Sequence, residues 1–388
     1  MGYTLMLSID EKCEEFRNFG HEVLSEDVEE RDRRGAKDPS DWMGLWQSAA
    51  LKGVLGINVP QQFGGEGRSF TDSFQALHSL GKGCRDNGML LGLNGQLWAM
   101  QHSISVFGNE HQKAKWLPAL VDGEAVCAHA VTETNSGSDV TGIRATAEKT
   151  KYGYRLNGEK IWIGMAPAAD VAQVFAITNP DHGAWGMSAF IVDLKSPGVS
   201  KSAPYDKSGH RTVPTGKLTF ENVEIPDESL LGSEGSGHAI FNQSIAWERS
   251  FIFSSHLGAM KRQLDETVLF ARDRAPNGKP IINNQTVSNR IADMQVRYEI
   301  SRLLIENAAR EIDAGVKNRM TPSVVKLSVA EALLENALEA QRIRGASGYL
   351  TGECERMVRD MAGTITLGGT SDIQRLLISA YQKGAVRT

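Results

Sequence analysis

Several things are scarce in this 388-residue chain, and each scarcity closes off a class of function. There are only four cysteines, Cys13, Cys84, Cys127 and Cys354, far apart and without a C-x-x-C pair. That spacing excludes a zinc ribbon, a thioredoxin-like centre and the disulfide lattice of a small secreted domain. Four scattered thiols read as reduced, buried side chains of a cytoplasmic protein. No apolar run approaches the ~18 residues of a membrane span, and Met1 to Asp10 has no basic segment leading into an apolar one. Neither secretion nor a membrane partner is expected. Basic residues are not in surplus: 42 Lys and Arg face 47 Asp and Glu, a net charge of −5. They are dispersed, so no nucleic-acid surface is expected. No G-x-G-x-x-G opens a helix after a strand, which argues against a doubly wound dinucleotide fold. No metal cluster suggests itself.

What is present falls into three zones. Residues 1–123 carry helical periodicity, as in Trp42, Leu45, Trp46, Ala49 and Ala50, and again over Phe74–Leu80 and Leu90–Phe107. Pro60, Gly64, Gly65 and Gly67 interrupt it. Residues 124–237 change to strand-like runs. Tyr154–Leu156 and Lys160–Ile163 flank Asn157-Gly158, a strong hairpin signal. Val171–Thr178, Met187–Asp193 and Lys217–Ile225 are further strands, and Asn179–Gly183 reads as the turn between the first two. An antiparallel barrel or sandwich is expected, closed by the glycine-rich Gly232–Gly237. Residues 238–388 return to long helices, with one stripe through Leu257, Met260, Leu264, Val268 and Ala271 and another through Val287, Ile291, Met294 and Tyr298. Thr321-Pro322 reads as an N-cap and first helical position. This zone predicts a four-helix bundle, and the whole chain an α+β fold.

Five segments carry a more specific message. Ala130-Val131-Thr132-Glu133-Thr134-Asn135-Ser136-Gly137-Ser138-Asp139 is followed by Asn157-Gly158-Glu159-Lys160-Ile161-Trp162-Ile163. Val59–Gly65 and Phe107–Lys113 lie upstream, and Gly369-Thr370-Ser371-Asp372-Ile373-Gln374-Arg375 downstream. In this order and spacing they resemble the acyl-CoA dehydrogenase family over nearly the whole chain. The resemblance implies N-terminal helices, a central β domain and a C-terminal four-helix bundle, with FAD at the junction of the last two. It implies α,β-dehydrogenation of an acyl thioester: a proton is taken from Cα and a hydride passes from Cβ to flavin N5. By position, Val131, Thr132 and Ser138 would face the flavin and its pyrophosphate or the substrate. Trp162, Ile163 and Gly164 would line the ring, and Thr370 and Asp372 would lie near the adenosine. Arg274, Gln341 and Gly345 would reach the FAD of a neighbouring subunit in a homo-oligomer, tetramer or dimer.

Departures from the family pattern are informative. The family's W-I-T-N reads Trp162-Ile163-Gly164-Met165, without the threonine hydroxyl beside N5. The R-x-Q-F-G segment reads Arg274–Gly278 without its aromatic residue. Many members carry the base immediately before the C-terminal G-T, where this chain has Gly368. The other family position, on the first bundle helix, holds Glu248 followed by Arg249. Glu248 is therefore the expected base, with Arg249 and Gly368 beside the substrate, and burial would raise its pKa from ~4.3 towards about 6–7. His129 and His256 are the other titratable candidates. Ile245–Glu248 and Thr178–Gly183 resemble the branch that oxidises aminoacyl or prolyl groups on carrier proteins in secondary metabolism. A CoA thioester presents the same phosphopantetheine arm. The electron acceptor would be an electron-transferring flavoprotein or O2. A flavin-dependent monooxygenase or oxidase on the same fold is the alternative.

Overall fold

A computed structural model describes residues 7–37 and 39–384. The chain runs as helices, then strands, then helices. The first helices are α1 (Ile9–Phe19), α2 (Val28–Arg34), α3 (Pro39–Leu51), α4 (Phe70–Gly83), α5 (Asn87–Gly95), α6 (His102–Phe107) and α7 (Glu110–Val121). A π-helical turn, Gln96–Gln101, joins α5 to α6. The strands are β1 (Cys127–Ala130), β2 (Thr146–Thr150), β3 (Gly153–Gly164), β4 (Val171–Ile177), β5 (Met187–Asp193), β6 (Val199–Lys201), β7 (Thr215–Pro226) and β8 (Leu230–Leu231). Then come α8 (Gly237–Phe251), α9 (Ser254–Asp273), α10 (Gln285–Asp313), α11 (Thr321–Arg344), α12 (Glu353–Thr364) and α13 (Ser371–Gln382).

The sheet runs β6-β7-β3-β2-β4-β5-β8, with β1 added alongside β4. It is mixed rather than wholly antiparallel. β1 pairs in parallel with β4, His129 opposite Gln173, and β2 touches β4 in parallel at Thr146–Ile177. The 180–186 turn does join β4 to β5, as expected. Asn157-Gly158 is not a hairpin turn. β3 runs straight through it, and the β2–β3 hairpin closes at Lys151–Tyr152, between paired Thr150 and Gly153. The irregularity at Asn157 lies across the ladder instead. β7 spans Phe220–Val223 against Leu156–Gly158, so it carries an extra residue there. Asn222 takes φ 50°, and its N–H donates to Asn157 Oδ1 at 2.8 Å. Gly158 is needed for close approach, since a Cβ would sit 2.7 Å from that of Ala145.

The long helical stripes pack as expected: Leu257, Met260, Leu264, Ala271, Met294 and Tyr298 are buried. α11 occupies the centre, touching α8, α9, α10, α12 and α13, while α4 packs on α9 and α10. Met320, not Thr321, is the N-cap of α11, so the threonine is its first residue and Pro322 its second. A single apolar cluster runs through all three zones. Its importance for the site is mechanical. α8 lies against β5 and the π turn on one side and α11 on the other. Among the described residues no helix is long and apolar enough to cross a membrane, and no three or more His, Cys, Asp or Glu gather as metal ligands.

Candidate active site

Glu248 sits near the end of α8, where the helix passes between the sheet and α11. Its side chain is only 15 % exposed. Burial pushes its carboxyl up to about 7, while the charges of Arg249 and Lys326 pull the other way. Burial wins because a carboxylate stripped of water loses more solvation than two partly screened cations return.

Arg249 reaches across to the segment between α12 and α13, its Nε donating to Gly368 O at 2.9 Å. Gly368 has φ 62°, and a Cβ there would lie 3.5 Å from Glu248 Oε1. The two positions that the resemblance implies for a base thus lie side by side in space, and of the two only Glu248 holds a carboxyl. Gln374, fully buried on α13, donates to Gly368 O and Gly369 O at 3.2 and 3.1 Å. Lys326 of α11 completes the enclosure. It is 0 % exposed, donates to Ile365 O at 3.3 Å, and is pushed down to about 8 by burial and by Arg249. Sequence reasoning missed Lys326. Its only signal is a lysine within a helical stripe of Val325, Val329 and Ala330.

Val131 and Thr132 follow β1, and Trp162, Ile163 and Gly164 end β3. The chain brings these two ends together: Ile161 N–H donates to Thr132 O at 2.8 Å, and Lys160 Nζ to Val131 O at 3.0 Å. Trp162 is an extra residue in the β3–β7 ladder, since Lys160 pairs with Leu218 and Ile163 with Gly216. Its φ is 58°, a costly conformation for a bulky side chain. The bulge breaks the strand's alternation and leaves the indole 64 % exposed, 4.8 Å from the ring of Tyr205. Ile163 stays buried and Gly164 is open, with nothing within 4 Å of a built Cβ. A strained, exposed tryptophan beside main-chain groups and the Thr132 hydroxyl fits the face of a flat, polar-edged ring such as a flavin. Ser138 is exposed on the loop after Ser136.

Thr370 caps α13, accepting from Ile373 N at 3.3 Å, directly beyond the Gly368 segment. Asp372 is exposed. Arg274 ends α9 and is exposed; Gln341 and Gly345 (φ 58°) lie at the C-terminal end of α11. Fifteen residues separate Lys326 from Gln341, roughly 22 Å of helix. These three are therefore not brought to Glu248 within one chain.

His129 and His256 are both pushed down to about 4 by burial and are neutral. His256 is enclosed by His210 and Phe253. His129 is different: its Nδ1 lies 3.9 Å from Glu248 Oε2.

Family models for the N-terminal, middle and C-terminal domains of acyl-CoA dehydrogenase match residues 10–124, 128–223 and 235–382. An L-prolyl-[peptidyl-carrier protein] dehydrogenase of Pseudomonas fluorescens is 38% identical over 340 residues, covering 87% of this chain and 90% of that protein. The crystal structure of the prolyl acyl carrier protein oxidase AnaB superposes with TM-score 0.93 at 33% identity, covering 96% of this chain and 98% of the other. PigA with FAD and proline does so with TM-score 0.93 at 33% identity, covering 99% of each chain.

Proposed function

This chain belongs to the acyl-CoA dehydrogenase family, and from that premise we propose that it removes two hydrogens from the α and β carbons of an aminoacyl thioester carried by a carrier protein. The observation that supports this most is the largely buried carboxyl of Glu248, pushed up to about 7 by burial at the junction of sheet and bundle. Prolyl is the favoured acyl group, because relatives named for prolyl carrier-protein substrates match along 87–98% of the chain.

FAD, when bound, supplies the acceptor for the β hydride. Val131, Thr132, Trp162, Ile163 and Gly164 would hold its ring, and Thr370 and Asp372 its adenosine side. The protein's own part is then proton chemistry and enclosure. Glu248 Oε takes the α proton as the Cα–H bond breaks. A carboxyl poised near 7 is half ionised at neutral pH and basic enough for the task, which an exposed glutamate is not. Arg249, Lys326 and Gln374 fix the 365–369 segment beside it and keep water out. Gly368 contributes main chain only, leaving room for the acyl group.

An oligomer, tetramer or dimer, goes with this reading. It would cover Val296, Ile300 and Leu303, a half-exposed apolar stripe on α10 at i, i+4, i+7 spacing. It would also bring Arg274, Gln341 and Gly345 to a neighbour's FAD.

The test is anaerobic titration of the flavin-loaded protein with paired thioesters, each acyl group offered on CoA and on a carrier protein. Prolyl on the carrier is expected to bleach the oxidised flavin band, and prolyl-CoA to do so weakly. Bleaching by CoA thioesters alone would move the substrate to free acyl-CoA. No bleaching by any thioester would favour O2-activating chemistry on this fold. Reoxidation with air or with electron-transferring flavoprotein then identifies the acceptor.

A further inference from the structure

His129 takes no part in the mechanism above, yet it is the histidine that touches the base. It projects from β1 towards α8 and is 11 % exposed. Its ring stands edge-on to Phe175, 5.5 Å away at 88°, which fixes its plane. One ring nitrogen, Nδ1, faces Glu248 Oε2 at 3.9 Å; the other, Nε2, lies 3.4 Å from Ser244 Oγ. Ser244 and Glu248 are four residues apart on α8 and so share a face.

The single hydroxyl proton of Ser244 decides the tautomer. Ser244 Oγ donates to Phe241 O at 3.0 Å, one turn back in the helix. Having spent its proton there, the oxygen can only accept from the imidazole. Neutral His129 must then carry its hydrogen on Nε2, which leaves Nδ1 a bare lone pair aimed at Glu248. A lone pair repels a carboxylate but accepts from a carboxylic acid. Closing the 3.9 Å gap by roughly 1 Å, within reach of a small side-chain rotation, makes that hydrogen bond.

We infer that His129 is a positioning residue for the base: held as the Nε2–H tautomer by Ser244, it receives the O–H of Glu248 once the α proton has been taken. This rests on Glu248 being the base. In balance, the α proton moves to Glu248 Oε and the new O–H points to His129 Nδ1, with no second transfer. The device favours the protonated carboxyl and so adds to the effect of burial. The other charged groups facing Glu248 are Arg249 on its own helix and Lys326 on α11, both acting the opposite way. Tyr381 of α13 bears on Arg249, and Glu331 on Lys326.

Ser244→Ala tests this without disturbing the ring. With the hydroxyl gone, the imidazole is free to carry its proton on Nδ1 and donate to the carboxylate. The Glu248 pKa should fall by about one pH unit, the scale of one hydrogen bond changing sides. His129→Phe, which keeps the burial and removes the acceptor, should shift it the same way. Ser244→Thr should leave it in place. The readout is the infrared carbonyl band of the protonated carboxyl, titrated with pH and assigned by its loss in Glu248→Gln. This needs no substrate. The acid limb of kcat/KM should move with it. If His129→Phe does not fold, Ser244→Ala decides alone. A band whose midpoint stays within about 0.2 units of wild type in Ser244→Ala overturns the inference. Full turnover by Glu248→Gln, a separate measurement, would overturn the base assignment and this inference with it.

Discussion

Glu248→Gln is expected to lose at least ~10²-fold in kcat while the protein stays yellow. Glutamine has the same shape, so the packing against α11 and the 365–369 segment is kept and the proposed flavin cradle, just after β1 and at the end of β3, is untouched. What goes is the basic oxygen that the proposed mechanism places beside Cα. The alternative position, Gly368, whose built Cβ would sit 3.5 Å from Oε1, offers no carboxyl to replace it. On the proposed mechanism the ionised carboxyl is the active form in wild type. Its pKa is raised by burial to about 7, so kcat/KM should rise with pH through that value and lie about tenfold below its plateau at pH 6. Lys326→Met should move this limb upward, since it removes one of the two cations that favour the carboxylate. Ser244→Ala should move it downward. Two neighbours shifting one limb in opposite directions would be hard to explain if another group were the base. A profile unchanged in Lys326→Met, or a Glu248→Gln variant within threefold of wild type, would end the assignment.

The three-zone order was readable from period alone: 3.6 before residue 124, near 2 up to the glycine-rich stretch, 3.6 again afterwards. Glu248 as the proposed base was legible as a candidate because Gly368 stands at one position the resemblance implies and the Glu248-Arg249 pair at the other. Its environment was not. Its neighbours Lys326 and Gly368 are 78 and 120 positions further along the chain and meet it only when α11 and the segment between α12 and α13 fold against α8. Asn157-Gly158 misled for a physical reason. Residues that tolerate positive φ suit a two-residue turn and a strand irregularity equally well, and nothing local says which. The extra residue that decides it, Asn222, lies on β7. The parallel pairing of β1 with β4 was equally hidden, because period-two patterning is blind to strand direction. The motif marks Trp162 as a flavin candidate, but the bulge that turns it outward depends on register with Leu218 and Gly216.

Glu133→Ala is expected to destabilise the folded protein by roughly 3–5 kcal/mol and to release flavin. Lys160 is 0 % exposed in the middle of β3, with Nζ 2.8 Å from Glu133 Oε1 and 3.0 Å from Val131 O. Burial has already pushed its pKa down to about 8, with Glu133 as the opposing influence. Glu133 does more than pair. Its two oxygens also accept from Arg144 N at 2.6 Å and Ala145 N at 3.0 Å, so one carboxylate closes the loop between β1 and β2. Alanine at 133 therefore strands a buried ammonium and two amides together. Lys160→Met added to Glu133→Ala should recover the share due to the ammonium but not that of the amides, of which the buried one, at Ala145, costs about 1–3 kcal/mol when left unmet. The double variant should thus lie between wild type and the single one. Because the same lysine fixes Val131, and Ile161 fixes Thr132, the flavin-to-protein ratio after gel filtration should fall in step with stability. Denaturant unfolding of the four proteins of this cycle reads the energies. A loss below about 1 kcal/mol in Glu133→Ala, with flavin retained, would mean that the pair behaves like a surface salt bridge and that the cradle is held by something else.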